Sequence, residues 1–357
     1  MREKKSFKDR NIVIVCEGST TEYNYISEVC EYAKAIGRLP FTNFIILPIN
    51  EKPITANPNR RKQRRHLMGN KDECRYYSKV DTIDNYKKYK GQPTRYLREA
   101  QLFIEEDGCV EGWAIYDKDK HTDHAGAIEL LDTDSRLKVA FSSYSFEEWL
   151  LCHFERNLTQ FNKSECCDGN GHSYICGGDK MEATNCNGTI CIAGRLRKCK
   201  YIPDYCKTQT DLFKTYSIIS TGEISEIPLI NAAWIRFKQK EIIRFEANPY
   251  TDVDILLLHL LDDHRIFKWF TGGEAIKLSQ GEIIIYKKDK AVWITNISNR
   301  NVLLPKNCLK GCTSDGRTRT LSFGTIVLSP QQAANVEIDD VSYLRLDIDT
   351  TSFFIEI

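Results

Sequence analysis

The chain has 357 residues, 41% of them hydrophobic and 28% charged, with a formal net charge of +1. That composition suits a soluble globular protein of about two domains, and no apolar run approaches the ~18 to 20 residues that cross a bilayer. The near-zero charge leaves a nucleic-acid partner to be argued from local clusters, and the basic start with no apolar signal core after it leads us to expect a cytoplasmic protein.

The first apolar run, residues 11–16 (NIVIVC), reads as a buried parallel strand. EGST follows as a turn, and a helix is expected from Thr21 to about Ile36. Residues 44–48 (FIILP) read as a second strand, whereas 51–92 are polar, basic and turn-rich, as an insertion would be. Pro93 opens a helical pattern through Glu106. Residues 112–116 (GWAIY) form the third expected strand and 137–142 (LKVAFS) the fourth, with a helix at 124–131 between them and another at 146–156. Strands alternating with helices indicate βαβ units on a mostly parallel sheet, whose ligands bind at the carboxyl ends of the strands. A second insertion rich in Gly, Asn and Cys spans 159–200. Helical patterning returns at 203–216, 230–245 and 252–261, the last with Thr251 as its expected N-cap. From about 265, short β-rich runs separated by turn residues (GEIIIY, AVWITNI, VLLP, TIVLS, ANVEI, YLRLDI, FFIEI) indicate an all-β sandwich or barrel. The expected domains are therefore 1–262 and 263–357.

Three pieces of the first domain carry chemistry: Glu17 to Glu22 (EGSTTE) after strand one, Asp117-Lys118-Asp119 after strand three, and Phe146-Glu147-Glu148-Trp149 after strand four. Carboxylates gathered at strand ends repel one another unless a cation neutralises them. Magnesium or manganese suits such a site, because both take oxygen ligands. In an extended segment Asp117 and Asp119 point to the same side, so both could approach one ion. A lone DxD is more often a solvated turn, and Glu17 could equally be an acid complementing a helix dipole.

IVIVCEGSTTEYNYI followed by WAIYDKDKH resembles the Toprim domain shared by topoisomerases, DnaG-type primases and overcoming-lysogenization-defect nucleases. FSSYSFEEWLLCHFE, NAAWIRF and NPYTDVDILLLHLL resemble segments of RloB-like proteins, in that family's order, over residues 8–262 without the insertions. The resemblance implies a Toprim-like mostly parallel sheet with flanking helices. It also implies a Mg²⁺-dependent nuclease acting on RNA, tRNA among the candidates, or on DNA, in an anti-phage system often accompanied by an ATPase partner. By it, Glu17 is a general acid/base or metal ligand, Asp117 and Asp119 are the metal pair, and Glu22, Glu147 and His153 match further family positions. Structural alternatives stay open: Glu22 as a helix cap, Glu148 facing solvent, His153 as a core histidine. The chain departs from the pattern at Tyr144-Ser145, where Asn-Pro is common, and at His121, where many Toprim domains carry a third acid. A Toprim-fold scaffold that binds a partner without cleaving is the alternative function.

Arg60, Arg61, Lys62, Arg64 and Arg65 place five positive charges in six positions, a candidate phosphate-backbone contact whose alternative is a solvated loop. Downstream, Tyr76, Tyr77, Tyr86 and Tyr89 interleave with Lys87, Lys88 and Lys90, as stacking would require. Seven of the fourteen cysteines fall between 166 and 206. Cys166, Cys167, His172, Cys176, Cys186 and Cys191 offer ligands for a structural zinc, although paired CxxC knuckles are lacking, and free thiols or a redox sensor are the alternatives. The C-terminal runs loosely resemble a lamin-tail immunoglobulin-like domain, with Ser329-Pro330-Gln331 lacking that family's glycine. Such an appendage implies binding or homo-oligomerisation.

Overall fold

The computed structural model describes residues 10–47, 93–164 and 191–357, apart from 19, 119, 120, 122, 204, 314–317, 322, 323, 339 and 340. The chain clusters into two units, one of residues 1–228 and 242–262, the other of 229–241 and 263–357.

The first unit is built on a five-stranded sheet of β1 (Arg10–Cys16), β2 (Thr42–Leu47), β3 (Glu111–Asp117), β4 (Leu137–Ser143) and β5 (Tyr250–Thr251), in the order β2-β1-β3-β4-β5. The first four strands are parallel, and the short β5 runs antiparallel to β4. From β1 the chain goes to β2 on one side, then returns past β1 to place β3 on the other. The carboxyl ends of β1 and β3 therefore flank the point where strand order reverses, the place at which open α/β sheets bind ligands.

Helices cover both faces. On one, α1 (Thr21–Ala35) buries Tyr25, Ile26, Val29 and Ala33. Tyr25 meets the rings of Phe146 and Phe213 edge-on at 5.5 and 5.6 Å, arrangements that add to the stabilisation from area burial alone. On the other face, α2 (Pro93–Glu106) presents Tyr96, Leu97, Ala100, Phe103 and Ile104 at helical spacing to Val13, Ala114 and Phe141. Each such side chain fully buried contributes about 1.5–3 kcal/mol. Gly112 permits this approach, since a Cβ there would lie 2.9 Å from that of Ala100. At the amino end of the sheet, Glu111 is clamped by Arg10 and Lys138, both at 3.2 Å, and by His259 at 2.6 Å.

The remaining helices are α3 (His124–Thr133), α4 (Glu147–Leu151), α5 (Ile192–Lys198), α6 (Leu212–Tyr216), α7 (Glu226–Lys238) and α8 (Val253–Leu260). The sequence pattern anticipates a helix through 203–216, but only α6 forms. Asp211 just before it has φ 62°, a left-handed conformation that interrupts a right-handed helix. Thr251 is not the N-cap of α8. Asp252 occupies that position and turns its carboxylate instead to the Phe141 N–H and to Arg244, while the Thr251 hydroxyl accepts the Val253 N–H at 3.4 Å.

In the second unit, β12 (Thr318–Thr320), β11 (Leu309–Cys312), β15 (Tyr343–Ile348), β16 (Thr351–Glu356) and β6 (Ile266–Thr271) form one sheet in that order. A second sheet runs β14 (Ala333–Glu337), β9 (Ala291–Asn296), β8 (Glu282–Lys288) and β7 (Ala275–Lys277), and β10 (Val302–Leu304) pairs with β13 (Ile326–Leu328). One apolar core takes Ile283, Ile285 and Ile294 from the second sheet, Leu344, Leu346 and Ile355 from the first, and Val302 and Leu328 from the pair. Residues 229–241, which the sequence pattern assigns to the first domain, belong here: Trp234 Nε1 donates to Glu356 at 2.8 Å, Lys238 pairs with the same carboxylate at 2.6 Å, and Trp269 Nε1 donates to the Ile230 carbonyl.

Among the described residues, no helix is long and apolar enough to cross a membrane.

Candidate functional site

Three strand ends converge at the carboxyl edge of the first unit's sheet. Glu17 follows β1, Asp117 closes β3, and Ser145 to Glu147 follow β4. The Glu17 N–H continues the ladder to the Ile115 carbonyl at 2.8 Å, and the Lys118 N–H donates to the Ser142 carbonyl at 2.9 Å. Both Glu17 carboxylate oxygens are held. Oε2 accepts the Asp117 N–H at 2.9 Å, and Oε1 lies 2.8 Å from His121 Nε2. Asp117 is buried beside it.

Glu22 stands in the first turn of α1, its carboxylate against Gly18, where an added Cβ would fall 2.7 Å from Oε2. Only a residue without a side chain leaves that carboxylate its place. Burial pushes the Glu22 carboxyl up to about 7, the negative charges of Glu147 and Glu17 add to the rise, and Lys207 opposes it. The shift records a concentration of negative charge where three strand ends meet.

Glu147, buried at the start of α4, accepts a hydrogen bond from the Tyr205 hydroxyl at 2.6 Å on Oε1 and one from the Ser145 hydroxyl on Oε2. Lys207 Nζ lies 3.9 Å from Oε1 and donates to the Ser164 hydroxyl at 3.2 Å. The Thr21 hydroxyl donates to the Lys207 carbonyl at 2.7 Å, which ties the 205–207 segment to the EGSTTE turn. Tyr205 and Lys207 were not anticipated from sequence. They lie 58 and 60 positions from Glu147, and nothing local to them advertises the contact.

The expected residues thus divide. Glu17, Asp117, Glu22 and Glu147 share one edge. His153 does not join them: it is a core histidine, with Nδ1 toward the Trp149 and Leu150 carbonyls and Nε2 at 2.8 Å from the Ser217 hydroxyl. Burial pushes its imidazole down to about 4, so it stays neutral. Glu148 is fully buried, contrary to the expectation that it faces solvent. Asp119 lies outside the described residues, as do Arg60, Arg61, Lys62, Arg64, Arg65 and the tyrosines and lysines that follow them, Cys166, Cys167, His172, Cys176 and Cys186. Cys191 is described, and its buried sulfur caps α5 by accepting the Gly194 N–H at 3.2 Å.

Among the described residues, no three His, Cys, Asp or Glu side chains gather closely enough to hold a metal ion. The donor set nonetheless fits a hard divalent cation. Magnesium keeps several of its waters and needs one or two carboxylates from the protein. Glu17 and Asp117 supply these at the strand ends, and the mutual repulsion that raises Glu22 is what a cation would relieve.

The family model described as RloB-like protein matches residues 12–260. No curated protein matches the chain. Among solved structures, a crystal structure of CapF with the inhibitor 3-isopropenyl-tropolone is similar over 93% of each chain at 10% identity, with a TM-score of 0.20, which is too low to bear on the fold.

Proposed function

The chain belongs to the RloB-like protein family, and from that premise we propose that it is a Toprim-type, Mg²⁺- or Mn²⁺-dependent nuclease serving a defence system against phage. The family itself points to defence, and the observation that carries the nuclease reading is the meeting of Glu17 and Asp117 at the strand-order switch, with Glu22 and Glu147 beside them.

In this reading Asp117 and Asp119 hold the ion together with Glu17. A bound divalent cation would polarise the phosphodiester and make a water more acidic. Glu17, pinned on both oxygens, is suited to take or return a proton at the attacking or leaving oxygen. Glu147, fixed by Tyr205 and Ser145, extends the negative surface. Lys207 brings the opposite charge, an ammonium within reach of a phosphate oxygen that approaches Glu147. The basic run at 60–65 would contact the nucleic-acid backbone, and an ATPase partner and self-association through the second unit complete the reading.

The test is incubation of the full-length protein with Mg²⁺ or Mn²⁺ and tRNA, single-stranded RNA or plasmid DNA. Wild type should cleave at least one of them. Glu17→Gln should slow cleavage by about 10²-fold or more, the scale of lost acid–base catalysis, and Asp117→Asn should abolish it. Equal behaviour of wild type and Asp117→Asn on every substrate would sink the proposal.

A second reading, a Toprim-fold subunit that binds a partner without cleaving, has in its favour that the described donors form no closed group of three. It expects no melting shift with Mg²⁺ or Mn²⁺ that depends on Asp119.

A further inference from the structure

We infer that His121 is a nitrogen ligand of this metal site, shared with Glu17, and that it tilts the site toward Mn²⁺ over Mg²⁺. The inference rests on the metal reading given above and deepens it by naming a ligand and a preference.

The placement comes first. After β3 the chain turns back, with the His121 N–H on the Lys118 carbonyl at 3.2 Å. That turn sets the imidazole over Glu17, its Nε2 at 2.8 Å from Oε1, with side-chain exposures of 12% and 20%. Because Oε2 is anchored on the Asp117 N–H at 2.9 Å, Glu17 has little freedom to swing away from the ring.

The spacing comes second. Two donors at right angles on one octahedral ion, each about 2.1 Å from it, are about 3 Å apart. The observed 2.8 Å between Nε2 and Oε1 is close to that separation. An ion can take the place of the shared proton between the two atoms without movement of either strand end.

The chemistry comes third. Glu17, Asp117 and Asp119 offer oxygen alone, a set that suits magnesium. An imidazole nitrogen adds a softer donor, which first-row transition ions favour and magnesium does not. A histidine standing where many Toprim domains carry an acid changes which ion the site prefers while keeping it a cation site.

The test combines Mn²⁺ electron spin echo spectroscopy on the full-length protein with calorimetric titration of Mn²⁺ and of Mg²⁺. Wild type should show modulation from a directly bound ¹⁴N nucleus and an affinity for Mn²⁺ about tenfold or more above that for Mg²⁺, the scale of a lost ligand-shell contact. His121→Asp should lose the nitrogen modulation, still bind Mg²⁺, and bring the two affinities together. Binding of both ions by wild type with no nitrogen modulation, or with modulation that survives His121→Asp, overturns the assignment of His121 and leaves the nuclease reading standing. Failure of wild type to bind either ion overturns both. The wild-type spectrum stands alone, so the outcome does not depend on the variant's folding.

Discussion

Glu147 and Glu148 are neighbours in one turn, yet their carboxylates live in different surroundings. Glu147 has both oxygens engaged by hydroxyls. Glu148 receives only a 3.4 Å contact from Asn157 on Oε1, and its buried Oε2 has no hydrogen-bond partner. Burial pushes the Glu148 carboxyl up to about 8, Asn157 opposes the rise and Glu155 adds to it. A carboxyl that holds its proton more tightly when folded is stabilising below the unfolded value of about 4.5, and that contribution is lost as pH rises toward 8. Glu148→Gln, neutral at every pH, should therefore be the more stable protein at pH 8 by ~1–3 kcal/mol, with the gap closing near pH 4.5. Urea unfolding at the two pH values measures it, and an unchanged pH slope would refute the assignment.

At the scale of elements, the segment that delivers Tyr205 and Lys207 is secured from a distance. Glu28 on α1 accepts the N–H groups of Asp211, Phe213 (3.0 Å) and Lys214 (3.4 Å), the unpaired donors at the start of α6. Glu28→Ala should cost about 1–2 kcal/mol, the scale of a lost cap, and raise hydrogen exchange at 211–214 before the sheet is affected. The contiguous apolar strands and the amphipathic α2 were legible in the sequence because their partners follow from periodicity alone. The candidate site was legible only as far as strand ends reveal it: Glu17, Asp117 and Glu147 each follow an apolar run. α5 was hidden among cysteines and glycines, and the break at Asp211 depends on a left-handed residue that pattern does not announce. Tyr205 and Lys207 reach the site by closing a loop of about sixty residues, and His153 satisfies its nitrogens on Ser217, 64 positions away. Such contacts are properties of the fold, invisible to any window along the chain.

For the whole molecule, the change of texture near 265 revealed a strand-rich region, but the ownership of residues 229–241 was not legible. An amphipathic helix declares that it has an apolar face and not which sheet that face covers. Here Trp234 and Lys238 answer to Glu356, and Ile230 to Trp269. A fragment ending at Asp262 should consequently melt several degrees below the full chain, since removal of ~1–3 kcal/mol of burial and hydrogen bonding shifts a domain of this size by a few degrees. A fragment that melts as the intact protein does would show that 229–241 needs no strands. The two units trade the chain at 228/229, 241/242 and 262/263, so the strand-rich unit is threaded through its neighbour's sequence rather than appended to its end. No single genetic junction can add, remove or exchange it whole. A recombination at 262 would leave a helix stranded in the wrong gene half, so variation in this unit is expected by drift in place rather than by shuffling.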